Sequence, residues 1–345
     1  MSNRRTRVSI AGDRFLANGA ALNAGRRIRG IPIDGLLLNS RMVQGIFDDL
    51  NPATRDRWRY PDGTAFCPDR NTREFIEAMP SWAAAGLNAF TINLQGGSPQ
   101  GYSKEQPWLN SALADDGSLR GDYMRRLAQI LDRADELGLI VILGIFYFGQ
   151  EPHLADEQAI LQAVDDTVDW LMQRGDTNVL IEVGNESDCP RYRHPISAPP
   201  RVAELIHRVR ERSAGKLLAS TSLLGGRVVT PEIAEASDFI LIHGNSVHES
   251  ARLAALIEAC RRVPTYRGQP IVCNEDDHFD FHRDDCNCLT ALRHRCGWGY
   301  FDFRREGEPF EVGFQSVPVD WTISTDRKRA FFDLLRSAED SPGPG

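Results

Sequence analysis

No stretch of this chain approaches the roughly 18 consecutive apolar residues of a membrane span, so a membrane is not an expected partner. Positive charge is short as well: 40 Lys and Arg stand against 48 Asp and Glu, a net charge of −8. That sign repels phosphate backbones and argues against nucleic acid. The basic start Met1-Ser-Asn-Arg-Arg-Thr-Arg7 has no apolar segment behind it, so no secretory signal is read and the cytoplasm is the expected compartment. Seven cysteines, an odd number, show no framework spacing, and Cys286-Asn-Cys288 leaves a single residue between thiols. That is not the zinc-type pair, and reduced thiols are expected. The glycine-rich Leu223-Leu-Gly-Gly-Arg227 lacks the Lys-Ser/Thr ending of a phosphate-binding loop.

What is present is 345 residues, 41% hydrophobic and 26% charged, a globular composition. The length suits one barrel of about 250 residues with long loops, or two ordinary domains. Period decides between them. Short apolar runs alternate with amphipathic stretches of helical length. The runs are Arg29–Ile33, Leu87–Leu94, Leu139–Phe146, Val179–Asn185, Leu217–Ser220, Phe239–His243, Ile271–Asn274 and Trp298–Phe303. Eight strands, each followed by a helix, predict an α/β fold, a (β/α)8 TIM barrel, over 28–337. Ahead of it, residues 1–27 contain Val8-Ser-Ile-Ala-Gly-Asp-Arg-Phe-Leu-Ala-Asn-Gly19, which reads as a β-hairpin capping the barrel bottom. Residues 338–345, rich in Pro and Gly, read as a disordered tail.

Three connections are long, Leu36–Asn71, Gln95–Gly121 and Arg304–Ser324, and all follow strands, placing them on the functional face of such a barrel. They carry Trp58, Tyr60, Phe66, Tyr102, Trp108, Phe310 and Trp321. As a set these predict a groove in which sugar rings stack on aromatic faces.

The strongest signal is a pair of strings, Val179-Leu-Ile-Glu-Val-Gly-Asn-Glu186 and Pro270-Ile-Val-Cys-Asn-Glu275. Each is a buried-strand run that ends in Asn-Glu, so each projects a carboxylate from the barrel rim. A convergent Glu pair is the equipment of glycoside hydrolysis. Glu182, one layer deeper on its strand, reads as a structural charge that Arg29 could pair.

The chain here resembles the clan of retaining (β/α)8 glycoside hydrolases that includes cellulases, mannanases and β-galactosidases. In that clan an Asn-Glu ends strand four and a Glu ends strand seven, and the strand count puts Glu186 fourth and Glu275 seventh. The resemblance implies Glu186 as acid/base, Glu275 as nucleophile, Asn185 as donor to a sugar 2-hydroxyl, and Trp298 as floor of the cleaved sugar's subsite. It implies a carbohydrate substrate and no cofactor. The chain also departs from the clan. Strand six has Ile242-His243-Gly-Asn245 where many members have a Tyr on the nucleophile, which leaves His243 to do that job or to touch a sugar hydroxyl. Strand two ends with Asn93 near its tip in place of an Arg, and strand three ends Phe146-Tyr147-Phe148 with no His. Asn93 and Tyr147 are therefore taken as substrate contacts.

The polar stretch Glu275-Asp-Asp-His-Phe-Asp-Phe-His282 reads as an active-site loop, with His278 on sugar hydroxyls and no metal-ligand spacing. Two other functions remain open. One is a metal-dependent hydrolase using His243, Glu275, His278 and His282. The other is a carbohydrate-binding barrel that has lost catalysis. The sequence leaves the sugar, the linkage, exo or endo action and the oligomeric state undecided.

Overall fold

The computed structural model describes residues 4–341. Eight parallel strands form its centre: β6 (Leu38–Arg41), β7 (Ala89–Asn93), β8 (Ile140–Tyr147), β9 (Val179–Asn185), β10 (Leu218–Ser220), β11 (Ile240–His243), β12 (Ile271–Asp276) and β13 (Cys296–Tyr300). Their order is β10-β9-β8-β7-β6-β13-β12-β11. The seam between β10 and β11 is drawn together by Asp238, whose amide donates to Ala219 O at 2.9 Å. Helices α1 (Pro68–Ala84), α2 (Gly121–Leu137), α3 (Glu157–Arg174), α4 (Val202–Arg212), α5 (Pro231–Ala236), α6 (Ser250–Arg261), α7 (Asn287–Arg293) and α8 (Asp326–Arg336) follow the strands in turn. The fold is a (β/α)8 barrel.

Local chemistry sets the helix ends. The Asp156 carboxylate accepts the Ala159 amide at the start of α3, and Thr325 accepts the Lys328 amide at the start of α8. Gly138 and Gly175 close α2 and α3 in the left-handed region, at φ +75° and +71°. The largest apolar cluster lies between strands and helices, where outward residues such as Ile181, Val183 and Ile242 meet Leu205, Ile206 and Ile257.

The first barrel strand is β6 and not the run Arg29–Ile33. Arg29 and Gly30 both have positive φ, +46° and +75°, and make the corner between β4 (Arg26–Ile28) and β5 (Ile31–Pro32). That short hairpin lies ahead of the barrel. Leu38-Asn-Ser-Arg41 carries little apolar signal because Asn39 and Arg41 are buried among polar partners inside the barrel, Asn39 against Trp298 O and Arg41 against Glu182.

Two small sheets lie at the N-terminal end of the barrel. β1 (Val8–Ala11), β2 (Arg14–Ala17) and β3 (Ala20–Ala21) pair antiparallel. They bring Val8, Phe15 and Leu22 onto Leu37, Ala89, Ile140, Ile142, Leu180, Leu241 and Val272, residues at or near the strand starts. β4 and β5 take a third strand from the other end of the chain, β14 (Glu339–Asp340), which pairs with Arg26 and Arg27. Part of the stretch expected as a disordered tail is therefore a strand, and the small sheet crosses the expected boundaries at 27 and 337. Residues 1–3 and 342–345 of the expected hairpin and tail segments lie outside the described residues. None of the seven cysteines is in a disulfide, and six are buried. Among the described residues no helix is long and apolar enough to cross a membrane.

Candidate active site

β9 ends at Asn185, and the chain then turns through Glu186 at φ +51°. A non-glycine residue in the left-handed region is held there by its surroundings. The holder is Ser222, just past β10: its Oγ accepts the Glu186 amide at 2.9 Å and donates to Glu182 Oε1 at 2.6 Å. On the other side β12 carries Glu275 to the same rim. One oxygen of Glu186, one of Glu275 and a ring nitrogen of His243 all lie within 4.8 Å of one another.

His243, the last residue of β11, stands between the two acids. Its Nδ1 is 3.0 Å from Glu186 Oε1 and 3.8 Å from Glu275 Oε2. Arg41 meets Glu275 from β6, Nε to Oε2 at 2.7 Å, and reaches Glu182 at 3.6 Å. Its remaining nitrogen donates to Asn185 Oδ1 at 2.7 Å, which turns the Asn185 amide NH2 away from the guanidinium. Asn245 Nδ2 donates to the second oxygen of Glu275 at 2.5 Å and to the Tyr102 hydroxyl at 2.8 Å.

These contacts separate the two acids electrically. Burial raises the Glu186 pKa above the ordinary carboxylate value, and the bond from His243 only partly offsets it. Burial pushes Glu275 the same way, but the Arg41 charge, the His243 charge and the Asn245 bond outweigh it and bring its pKa below the ordinary value. Burial works against an ionised His243, yet Glu275 and Glu186 together raise its pKa. The arrangement shifts the two carboxyls in opposite directions, Glu186 above and Glu275 below the ordinary carboxylate value.

The structure brings together Glu186, Glu275, Asn185 and His243. Tyr147 belongs to the same cleft: its buried phenol accepts from Gln106 at 2.8 Å, and burial, with both acids adding, raises its pKa. Asn93 lies lower. It pairs with Gly144, which pairs with Glu182, so it sits at the level of Glu182 and not of Glu186. Trp298 is not the floor of a sugar site. Its Nε1 donates to Asp276 and its ring packs on Phe281 and on Phe331 of α8, in the layer between barrel and helices. The aromatic residues at the mouth beside strand eight are Phe301 and Phe303, whose rings lie 5.9 and 5.0 Å from Tyr102.

The long loops do not build an aromatic groove. Trp58, Tyr60, Trp108 and Trp321 are buried, and Trp58 stacks edge-on against Trp108 while Trp321 stacks on Phe314. Of that set Tyr102 is the exposed one. Glu182 is paired by Arg41 and Ser222, whereas Arg29 reaches Asp284 outside.

His278 turns away to Asp276, at 2.6 Å, and to His248, at 3.2 Å. His282 lines a surface hollow with Arg29 and Phe281. The four residues of the metallohydrolase alternative thus do not converge. Glu186, His243 and Glu275 have the spacing to hold a cation, as do Asp276, Asp277 and His278. In the first group the Arg41 guanidinium already supplies the positive charge against Glu275.

Sequence reasoning missed Arg41 and Asn245. Arg41 was hidden by the misplaced first strand. Asn245 was within reach: it lies two residues beyond His243 in the string Ile242-His243-Gly-Asn245, and it makes the close bond to Glu275, 2.5 Å, where His243 stands 3.8 Å away.

No protein-family model matches this chain. No curated protein matches it either. Solved structures do match in fold. A Bacteroides vulgatus structure provisionally assigned as a glycoside hydrolase superposes with a TM-score of 0.60 at 11% identity, over 97% of this chain. This chain spans 61% of that one's length. A broad-specificity GH5-4 endoglucanase from Bacteroides salanitronis gives a TM-score of 0.55 at 12% identity, covering 88% of this chain and 92% of its own. A family 5 mannosidase from Rhizomucor miehei gives 0.57 at 11% identity, covering 96% of this chain and 97% of its own. The chain shares its barrel with glycoside hydrolases of the clan that its two Asn-Glu strand ends resemble.

Proposed function

We propose that this chain is a retaining β-glycosidase that cleaves a β-linked oligo- or polysaccharide by double displacement. The observation that carries the reading is the convergence of two strand-end carboxyls whose oxygens approach within 4.8 Å, with Arg41 and Asn245 bonded to Glu275 and His243 to Glu186. Retaining enzymes hold their carboxyls about 5–5.5 Å apart because the nucleophile must touch the sugar carbon, whereas inverting ones leave roughly 6.5–9.5 Å for a water.

Glu275, ionised by Arg41 and Asn245, attacks the anomeric carbon. The bond to the leaving oxygen breaks, and that oxygen takes the proton of Glu186. Glu186, now ionised, draws a proton from water, the hydroxyl oxygen adds to the anomeric carbon, and the ester bond to Glu275 breaks. Proton and electron pair return to their starting places. Asn185, its carbonyl oxygen held by Arg41, presents its NH2 to the sugar.

The test is the anomer of the first-formed product, followed by NMR on an activated aryl β-glycoside. Retention of configuration is expected. An inverted first product overturns the double displacement, and absence of turnover on every glycoside overturns the reading as a whole.

A further inference from the structure

The connection after β7 does not stay over its own strand. Its root is tied to the loops after strands one and eight: Gly97 O accepts from Gln44, Ser98 O from Gln315 and Pro99 O from the Val317 amide, at 2.8–2.9 Å. Tyr102 then reaches across the barrel. Its hydroxyl accepts from Asn245, just past β11, and donates to Asp277, just past β12, at 3.3 Å. β7 and β11 stand four places apart in a ring of eight, so this strap spans the mouth. It returns by way of Ser103 O, which accepts from Arg191 at 3.4 Å, to Gln106 on Tyr147 at 2.8 Å.

The strap is seated closely. Gly101 has φ +82°, and a Cβ there would come 2.3 Å from the Phe303 ring, so glycine lets the backbone lie on that ring. Tyr102, Phe301 and Phe303 thus wall the side of the cleft that Glu275 and Asn245 occupy. The Glu275 side chain is 7% exposed and that of Glu186 13%.

In the covalent step the attacked sugar is fixed with its anomeric carbon on Glu275 and its leaving oxygen toward Glu186. The leaving group therefore departs past Glu186. We infer that the far hydroxyls of the attacked sugar face the wall made by Tyr102, Phe301 and Phe303, and that the strap thereby makes the site a pocket for one sugar, so that the enzyme acts only on the terminal, non-reducing residue of its substrate. This inference rests on the glycosidase reading above, and names Tyr102 as a residue that sets exo rather than endo action.

The experiment begins with aryl β-monoglycosides to find the preferred sugar. Aryl β-oligosides of that sugar follow, in two forms: free, and O-methylated on the far hydroxyls of the terminal residue. The free form should release the monosaccharide as its sole first sugar product, and methylation should slow turnover by about a hundredfold or more. Equal rates on the two forms, or first products longer than one sugar, overturn the inference while the glycosidase reading stands. No turnover on any aryl glycoside, with the barrel folded by circular dichroism, overturns that reading and this one with it. Tyr102→Ala should raise the ratio of methylated to free turnover by about tenfold. The ratio cancels any general loss of rate, and an unchanged ratio removes the strap from the argument.

Discussion

Positive charge reaches the two acids of the cleft unequally. Arg41 is bonded to Glu275 alone of the pair, and Asn245 donates to Glu275 alone, while Glu186 has the imidazole of His243 and little else against its burial. Turnover by the proposed mechanism needs Glu275 ionised and Glu186 protonated. The rate should therefore rise with pH through a Glu275 value below the ordinary carboxylate range and fall through a Glu186 value above it. Asn245→Ala removes a bond to the ionised form of Glu275, so the acid limb should move to higher pH, with kcat/KM down about 10- to 100-fold. A pH–rate profile of the variant reads both effects. Glu186→Ala should slow glycosides with poor leaving groups by about 10²–10⁴-fold, spare activated aryl glycosides in the first step, and respond to added azide. Glu275→Ala should be inactive on all of them. Both acids were legible in the sequence because a strand-end Asn-Glu is a local signal. Arg41 was not, because its role depends on which strand is first.

Side-chain parity along β13 explains what the sequence misassigned at strand eight. Cys296, Trp298 and Tyr300 face the helices, where Tyr300 stacks on Phe331 at 4.9 Å. The alternating positions are Gly297 and Gly299, which offer bare backbone to the inside. A Cβ at Gly299 would lie 2.6 Å from the Asn39 side chain and 2.7 Å from Asn274 O. Gly299→Ala should therefore cost about 1–3 kcal/mol of stability, measured by urea denaturation, with β6 displaced where it pairs with β13. The strand as an element was legible. Its facing was not, since Gly-Trp-Gly-Tyr alternates aromatic with small residues and either parity satisfies the pattern. The polar β6 went unread for a related reason. An inward Asn and Arg look like loop residues until the barrel around them is known.

At the scale of the whole molecule the barrel has one closed end and one guarded end. The closed end is the Phe15 plug, in which the Phe15 ring lies 5.7 Å from Phe239 with no exposure to solvent beyond 1%. Truncating it leaves a cavity under the strand starts, and Phe15→Ala should cost about 3–5 kcal/mol, read as a lowered urea midpoint with an unchanged slope. The alternation of strand and helix made seven of the eight barrel strands readable from period, and the count of eight was reached with the Arg29–Ile33 hairpin standing in for β6. The pairing of Glu339–Asp340 with Arg26–Arg27 was not readable, because two residues at each end of a long chain carry no periodic signal.

That last pairing also decides how the molecule can be handled. β14 lies with β4 and β5 ahead of the strand starts, and the Ser341 amide is bonded to Gly25 O. A support joined after residue 341 would hold the barrel base-down and leave its mouth facing the liquid. Coupling through the exposed Lys104 or Glu105 would do the reverse, since both sit in the strap and any attached matrix would stand in the doorway. A film of molecules anchored by the tail should keep the free enzyme's rate on bulky substrates, and one anchored through Lys104 should lose it.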